Sequence, residues 1–239
     1  MIPTKYLSKM GIYEVECQGT KVKAILVDHE AFLDAKIVEF KTSLQNQGCP
    51  VEGIDFKVNS FDNKVELVIL CGQNHCLLIK VPKMHSYPLS LQGVLADGNL
   101  CFVGTGIPDK LPGLTLGSEN WVSDAGQPRS FFMNAIVEVC DLATQVLKKP
   151  KLCKCGLAEL DTEVRINSTM ASIASSWSPC PVTDSKVMEE KASLPEMIKC
   201  IPDWKAVAFS DEDIKYAIYD ACTCCFIGFK MLELLDATN

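Results

Sequence analysis

Two alternating runs stand near the start of the chain, Ile12-Tyr13-Glu14-Val15-Glu16-Cys17 and Lys21-Val22-Lys23-Ala24-Ile25-Leu26-Val27, parted by Gln18-Gly19-Thr20. A period of two with a glycine turn between the runs predicts a β-hairpin. From Glu30 to Gln47 the period changes. Phe32, Leu33, Ile37, Val38, Phe40 and Leu44 recur at helical spacing until Gly48-Cys49-Pro50 interrupts them, which predicts an amphipathic helix. Val51 to Asn59, read Val-Glu-Gly-Ile-Asp-Phe-Lys-Val-Asn, has strand character with charges inside it. Strand side chains alternate, so Ile54, Phe56 and Val58 share one face and Asp55 and Lys57 the other. Taken alone, the second face reads as exposed and carrying an ion pair.

Turns at Ser60-Phe61-Asp62-Asn63 and Gly72-Gln73-Asn74 separate this stretch from Val65–Cys71 and Cys76–Val81. Three strands joined by tight turns make an antiparallel meander, with the Asp55 strand at one side. A short helix over Leu89 to Leu95 then leads to a buried strand within Leu100 to Ile107, with Leu111 and Leu114 at helical spacing after it. A strand reached through a helical crossover adds in parallel, so a mixed sheet is expected. Ile136 to Val139 reads as a short strand whose following Asp141 caps a helix, and Gly156 to Ile166 as a further helix. Asn167 to Ser193, rich in Ser, Thr, Pro and Lys, reads as a mobile excursion. Ser210 with Asp211, Glu212 and Asp213 is the capped start of a long helix carrying Tyr216 and Asp220, which sit four apart on one face.

Composition narrows the classes. The chain has 239 residues, 48% hydrophobic and 22% charged, which suits a single domain over 1–239 with residues 1–48 as an N-terminal hairpin and helix packed on it. A net charge of −7 argues against general affinity for polyanions, so any nucleic-acid contact has to use a local basic cleft. No stretch reads as a signal peptide or as a membrane span, and a soluble cytoplasmic or nuclear protein is expected. The 13 cysteines are scattered through apolar runs and read as free thiols in a reducing compartment. Cys153 with Cys155, and Cys222 with Cys224 and Cys225, lack partners at zinc-knuckle spacing and read as packing residues.

Three stretches taken together resemble a known family. Gly53-Ile54-Asp55-Phe56, then Phe102-Val103-Gly104-Thr105-Gly106-Ile107 with Leu114, then Tyr216-Ala217-Ile218-Tyr219-Asp220-Ala221 are similar, in order, to the motifs of the DnaQ-like 3′-5′ exonucleases. The subclass is the tyrosine (DEDDy) one, typified by the Werner-syndrome exonuclease domain and its plant paralogues. Val139-Cys140-Asp141-Leu142-Ala143 and Trp204-Lys205-Ala206 with Phe209-Ser210 resemble the family's flanking segments, so the likeness covers most of the chain. It implies an α/β fold: an RNase H-like mixed sheet of five or six strands flanked by helices, with an N-terminal hairpin extension. It also implies two Mg²⁺ or Mn²⁺ ions held by four carboxylates, with the tyrosine placing the attacking water.

The sequence departs from that pattern at two ligands. Lys57 stands where the family's first motif has Glu, and Lys110 falls at the second motif's Asp, with Asp109 one place early. Asp55, Tyr216 and Asp220 match the catalytic positions, and only Asp55 and Asp220 are left as metal ligands. Lysines there repel divalent ions and form ion pairs with the remaining aspartates. Two readings therefore stand. In the first, a catalytically impaired pseudo-exonuclease holds no metal and binds single-stranded nucleic acid, a protein partner or further copies of itself. In the second, a metal-dependent exonuclease acting on single-stranded RNA or DNA works through Asp55, Asp109, Tyr216 and Asp220.

Overall fold

The computed structural model describes residues 10–47, 51–59, 62–84, 88–116, 136–165, 202–206 and 208–237. The expected excursion at 167–193 lies outside the described residues, as do the first nine of the expected 1–48 unit. The elements in chain order are β1 (Ile12–Cys17), β2 (Thr20–Val27), α1 (Glu30–Gln47), β3 (Val51–Val58), β4 (Val65–Cys71), β5 (His75–Lys80), α2 (Leu89–Leu95), β6 (Cys101–Gly104), α3 (Ile107–Leu116), β7 (Ile136–Glu138), α4 (Val139–Leu147), α5 (157–165) and α6 (Asp211–Asp236).

All strands among the described residues join one mixed sheet in the order β1-β2-β5-β4-β3-β6-β7. β3, β4 and β5 form the antiparallel meander, and β6 adds to β3 in parallel after the crossover through α2. The expected mixed α/β sheet is thus present. Its strand number is seven because the hairpin enters the sheet: β2 lies parallel to β5, from Lys23 opposite His75 to Val27 opposite Ile79.

Helices cover both faces. On one, Leu33, Ile37, Phe40 and Leu44 of α1 and Leu91, Val94 and Leu95 of α2 pack against Ile54, Phe56, Val68 and Leu70. These α1 residues follow the i, i+4, i+7, i+11 stripe of a helix with one buried face. Phe32 and Val38, counted with that stripe from the sequence, fall off it and are exposed. On the other face α6 lays Ile214, Ala217, Ile218 and Ala221 against Leu67 and Ile69. Further along α6, Cys224, Ile227 and Met231 close a third cluster with Val51, Val103, Val139 and Ala143.

Two expectations are corrected by packing. β3 is buried on both sides, so the Asp55 and Lys57 face is not a solvent face. α4 begins at Val139 and not after Asp141, which lies within its first turn. A third correction concerns the thiols. Cys71 and Cys76, opposite each other across the β4–β5 hairpin, are joined as a disulfide. No helix among the described residues is long and apolar enough to cross a membrane.

Beside Ile54, on the side of α1 and α2, Glu52 is fully buried with neither carboxylate oxygen hydrogen-bonded. Burial, and secondarily the charge of Asp97, push its pKa up to about 8, with Lys41 opposing. A carboxyl so placed is protonated at neutral pH.

Candidate functional site

The site lies where α6 crosses β3, and a glycine permits that crossing. A Cβ on Gly53 would land on the backbone carbonyl of Ala221, so only glycine lets helix and strand approach this closely. The approach sets Asp220 over the strand face that carries Asp55 and Lys57. α6 is held in register at its start by a reciprocal cap: the Ser210 hydroxyl accepts from the Asp213 amide at 3.1 Å, and the Asp213 carboxylate accepts from the Ser210 amide at 2.9 Å.

Two lysines occupy the centre. The Lys57 ammonium lies 2.7 Å from Asp55 Oδ2 and 3.1 Å from Asp220 Oδ2, bridging the two carboxylates. Its contact with Asp55 is a close ion pair out of line for a directed hydrogen bond, whereas it donates to Asp220. The Lys110 ammonium donates to the other Asp55 oxygen at 2.5 Å and to the Thr105 carbonyl at 3.2 Å. Both oxygens of Asp55 are therefore matched by cations, in a place where its side chain is 1% exposed and that of Lys57 is 11% exposed. Burial works against the charge on Lys57, but Asp55 and then Asp220 overcome it and raise its pKa above the ordinary value. The lysine stays an ammonium throughout the neutral range.

α3 places Lys110. Its first amides, from Gly106 and Ile107, donate at 3.0 and 2.8 Å to the two oxygens of Glu138 at the end of β7. A carboxylate at that end satisfies orphan amides and the helix dipole together. Nothing in the sequence pattern singles out Glu138, because its partners are backbone groups some thirty residues away, brought near only by the β6–β7 pairing. Consecutive helical side chains diverge by about 100°. With Lys110 turned to Asp55, Asp109 is exposed on another side of the first turn.

Tyr216 flanks the lysine: the Lys57 ammonium sits 5.5 Å from its ring centroid. The indole of Trp204 stacks on the same ring at 6.0 Å and 8°. The structure thus brings Asp55, Lys57, Lys110, Tyr216 and Asp220 together and leaves Asp109 outside. Trp204 and Glu138 join as supports.

These residues do not fit a pair of divalent cations. Every approach to Asp55 is filled by an ammonium, and Asp220 shares one of them. A divalent ion about 4 Å from one ammonium is repelled by roughly 8 kcal/mol at an effective dielectric near 20. Without further carboxylates its dehydration is not offset.

No protein-family model matches the chain, and no curated protein does. Among solved structures, one of the EXD2 exonuclease domain soaked in Mn is 18% identical, with a TM-score of 0.44, over 88% of this chain and 90% of that one. Another of the EXD2 exonuclease domain is also 18% identical at a TM-score of 0.44, covering 91% and 96%. A third, soaked in Mn and dGMP, is 19% identical at 0.43.

Proposed function

We propose that this chain is a pseudo-exonuclease of the DnaQ-like tyrosine subclass, similar to the plant Werner-type branch, in which two lysine ammoniums have taken over the charge-balancing role of the metal ions. The observation that carries this reading is the Lys57 ammonium seated between Asp55 and Asp220. Two positive and two negative charges cancel, so the pocket is held together without an added cation and offers no activated water. Phosphodiester hydrolysis is absent, and the function is binding.

The proposed partner is protein, including further copies of the same chain, in the cytoplasm or nucleus. Lys57 and Lys110 are engaged by Asp55, Asp220 and Thr105, and the chain as a whole is acidic at −7. One observation favours single-stranded nucleic acid as a second reading. A cavity of about 370 Å³ beside the site is lined by Lys64, Lys80, Lys83, Lys205 and Trp204, with Asp62 and Glu66 opposing. Lysines gathered at one cavity suit a phosphate backbone.

The test is incubation of the purified chain with labelled single-stranded RNA and DNA in Mg²⁺ or Mn²⁺, alongside Asp55→Ala. No shortening by either protein is expected. Divalent-dependent trimming that disappears in Asp55→Ala would overturn the reading and restore the active alternative. Binding of the same strands that weakens steeply with salt and is reduced in Lys83→Ala, whose lysine lines that cavity, would select the nucleic-acid partner.

A further inference from the structure

Two lysines are buried among the described residues, Lys57 and Lys80. Lys57 has two carboxylates beside it. Lys80, 4% exposed, has none in ion-pair contact among the described residues: its ammonium donates to the Ala206 carbonyl and lies 4.8 Å from the centroid of the Phe209 ring. The carbonyl takes one of its three N–H donors. An ammonium taken out of water without a counter-charge is costly to keep. Burial lowers its pKa, with Lys83 adding to that and Asp28, Glu66 and Asp203 opposing. Lys80 lines the cavity of about 370 Å³ together with Lys64, Lys83 and Lys205. We propose that this cavity binds a phosphomonoester dianion, anchored on Lys80. Such binding is independent of whether the central pocket cleaves a strand, and where a nucleic acid is the ligand it requires a strand that ends in a phosphate.

Lys80 ends β5, and Pro82 and Lys83 follow in a 3-10 turn over Val81–Lys83. On the neighbouring strands Lys57 pairs with Leu67 and Val58 with Val65, so Glu66 is the extra residue of a β-bulge. The bulge sends Val65 and Leu67 into the clusters on opposite faces of the sheet and leaves Glu66 buried at the cavity. Lys205 spans the two acids of the lining, 3.7 Å from Asp62 and 3.5 Å from Glu66, and neither acid pairs with Lys80 or Lys83. Four lysines against two carboxylates give the lining a net charge of +2. A phosphate monoester carries close to two negative charges at neutral pH, and a phosphodiester only one. The monoester therefore balances the cavity and supplies Lys80 with the counter-charge it lacks. The lysine ammoniums give its oxygens charge-assisted hydrogen bonds. The volume suits a small ligand, since such sites usually hold roughly 300–1,000 Å³.

The test titrates the full chain calorimetrically with methyl phosphate and with dimethyl phosphate, in EDTA so that divalent ions play no part. Saturable binding of methyl phosphate at a single site is expected, with dimethyl phosphate at least about 10-fold weaker. Lys80→Met, which keeps the stem, weakens methyl phosphate binding roughly 10-fold, and the exposed Lys83→Ala about 3-fold. Lys151→Ala, exposed and outside the cavity lining, leaves it unchanged. Competition by one oligonucleotide with and without a 5′-phosphate identifies the source: displacement by the phosphorylated form alone assigns a strand end, and displacement by neither form assigns a small monoester. Absence of saturable methyl phosphate binding, equal affinity for dimethyl phosphate, or equal displacement by both oligonucleotides would each overturn the proposal. So would unaltered affinity in folded Lys80→Met, or in Lys83→Ala, which keeps the test decisive should Lys80→Met fail to fold.

Discussion

Lys57 is the residue on which the pocket depends. Replacing it with methionine keeps the stem and removes the ammonium, leaving Asp55 with Lys110 alone in a place where it is 1% exposed. Loss of one partner from a buried pair is costly, and Lys57→Met is expected to lower unfolding free energy by about 3 kcal/mol in denaturant titration. The lysine's raised pKa means its contribution is complete below 10.5 and fades as pH climbs through the higher folded-state value. Across the neutral range the lysine's contribution is therefore constant. Glu52 behaves oppositely. Its folded pKa of about 8 lies above its ordinary 4.5, so the unfolded chain releases its proton first as pH rises. Stability is then lost by about 1.4 kcal/mol per pH unit between those two values. Glu52→Gln is expected to abolish that slope, so that thermal unfolding followed from pH 5 to 8 becomes flatter than in the parent; an unchanged slope would assign the sensitivity elsewhere.

At the scale of elements, the crossing of α6 over β3 decides where Asp220 goes. Gly53→Ala forces the helix off the strand, and Gly228, which faces Val51 and Val103, tolerates little more. Gly53→Ala is expected to destabilise by 2 kcal/mol or more, on the order of a severe overpacking change, with a matching fall in melting temperature. Ser210→Ala, which removes the reciprocal cap, lowers it less, by about 1 kcal/mol. Much of this layer was legible beforehand. Alternation gave β1 and β2, and Ser210 with its acidic followers gave the start of α6. The crossover gave the parallel placement of β6. What local pattern could not give was depth: β3 carries Asp and Lys yet is buried on both faces, because α6 covers the side that polarity alone assigns to solvent. Phe32 and Val38 failed for the complementary reason, since helical spacing admits them but α1 buries a narrower stripe.

At the scale of the molecule, the seven strands among the described residues and the helices on both faces form a scaffold whose central charges are internally balanced. The motif positions Asp55, Lys57, Lys110, Tyr216 and Asp220 could be named from sequence, because each sits at a fixed offset within its element. Glu138 could not, because only the β6–β7 pairing brings it to the first amides of α3. The central claim is that ammonium has replaced metal between Asp55 and Asp220, and calorimetric titration of Mn²⁺ into the purified chain tests it most directly. The account predicts no saturable heat of binding in the parent, and its appearance in Lys57→Glu combined with Lys110→Asp. Saturable Mn²⁺ binding by the parent that vanishes in Asp55→Ala would contradict it.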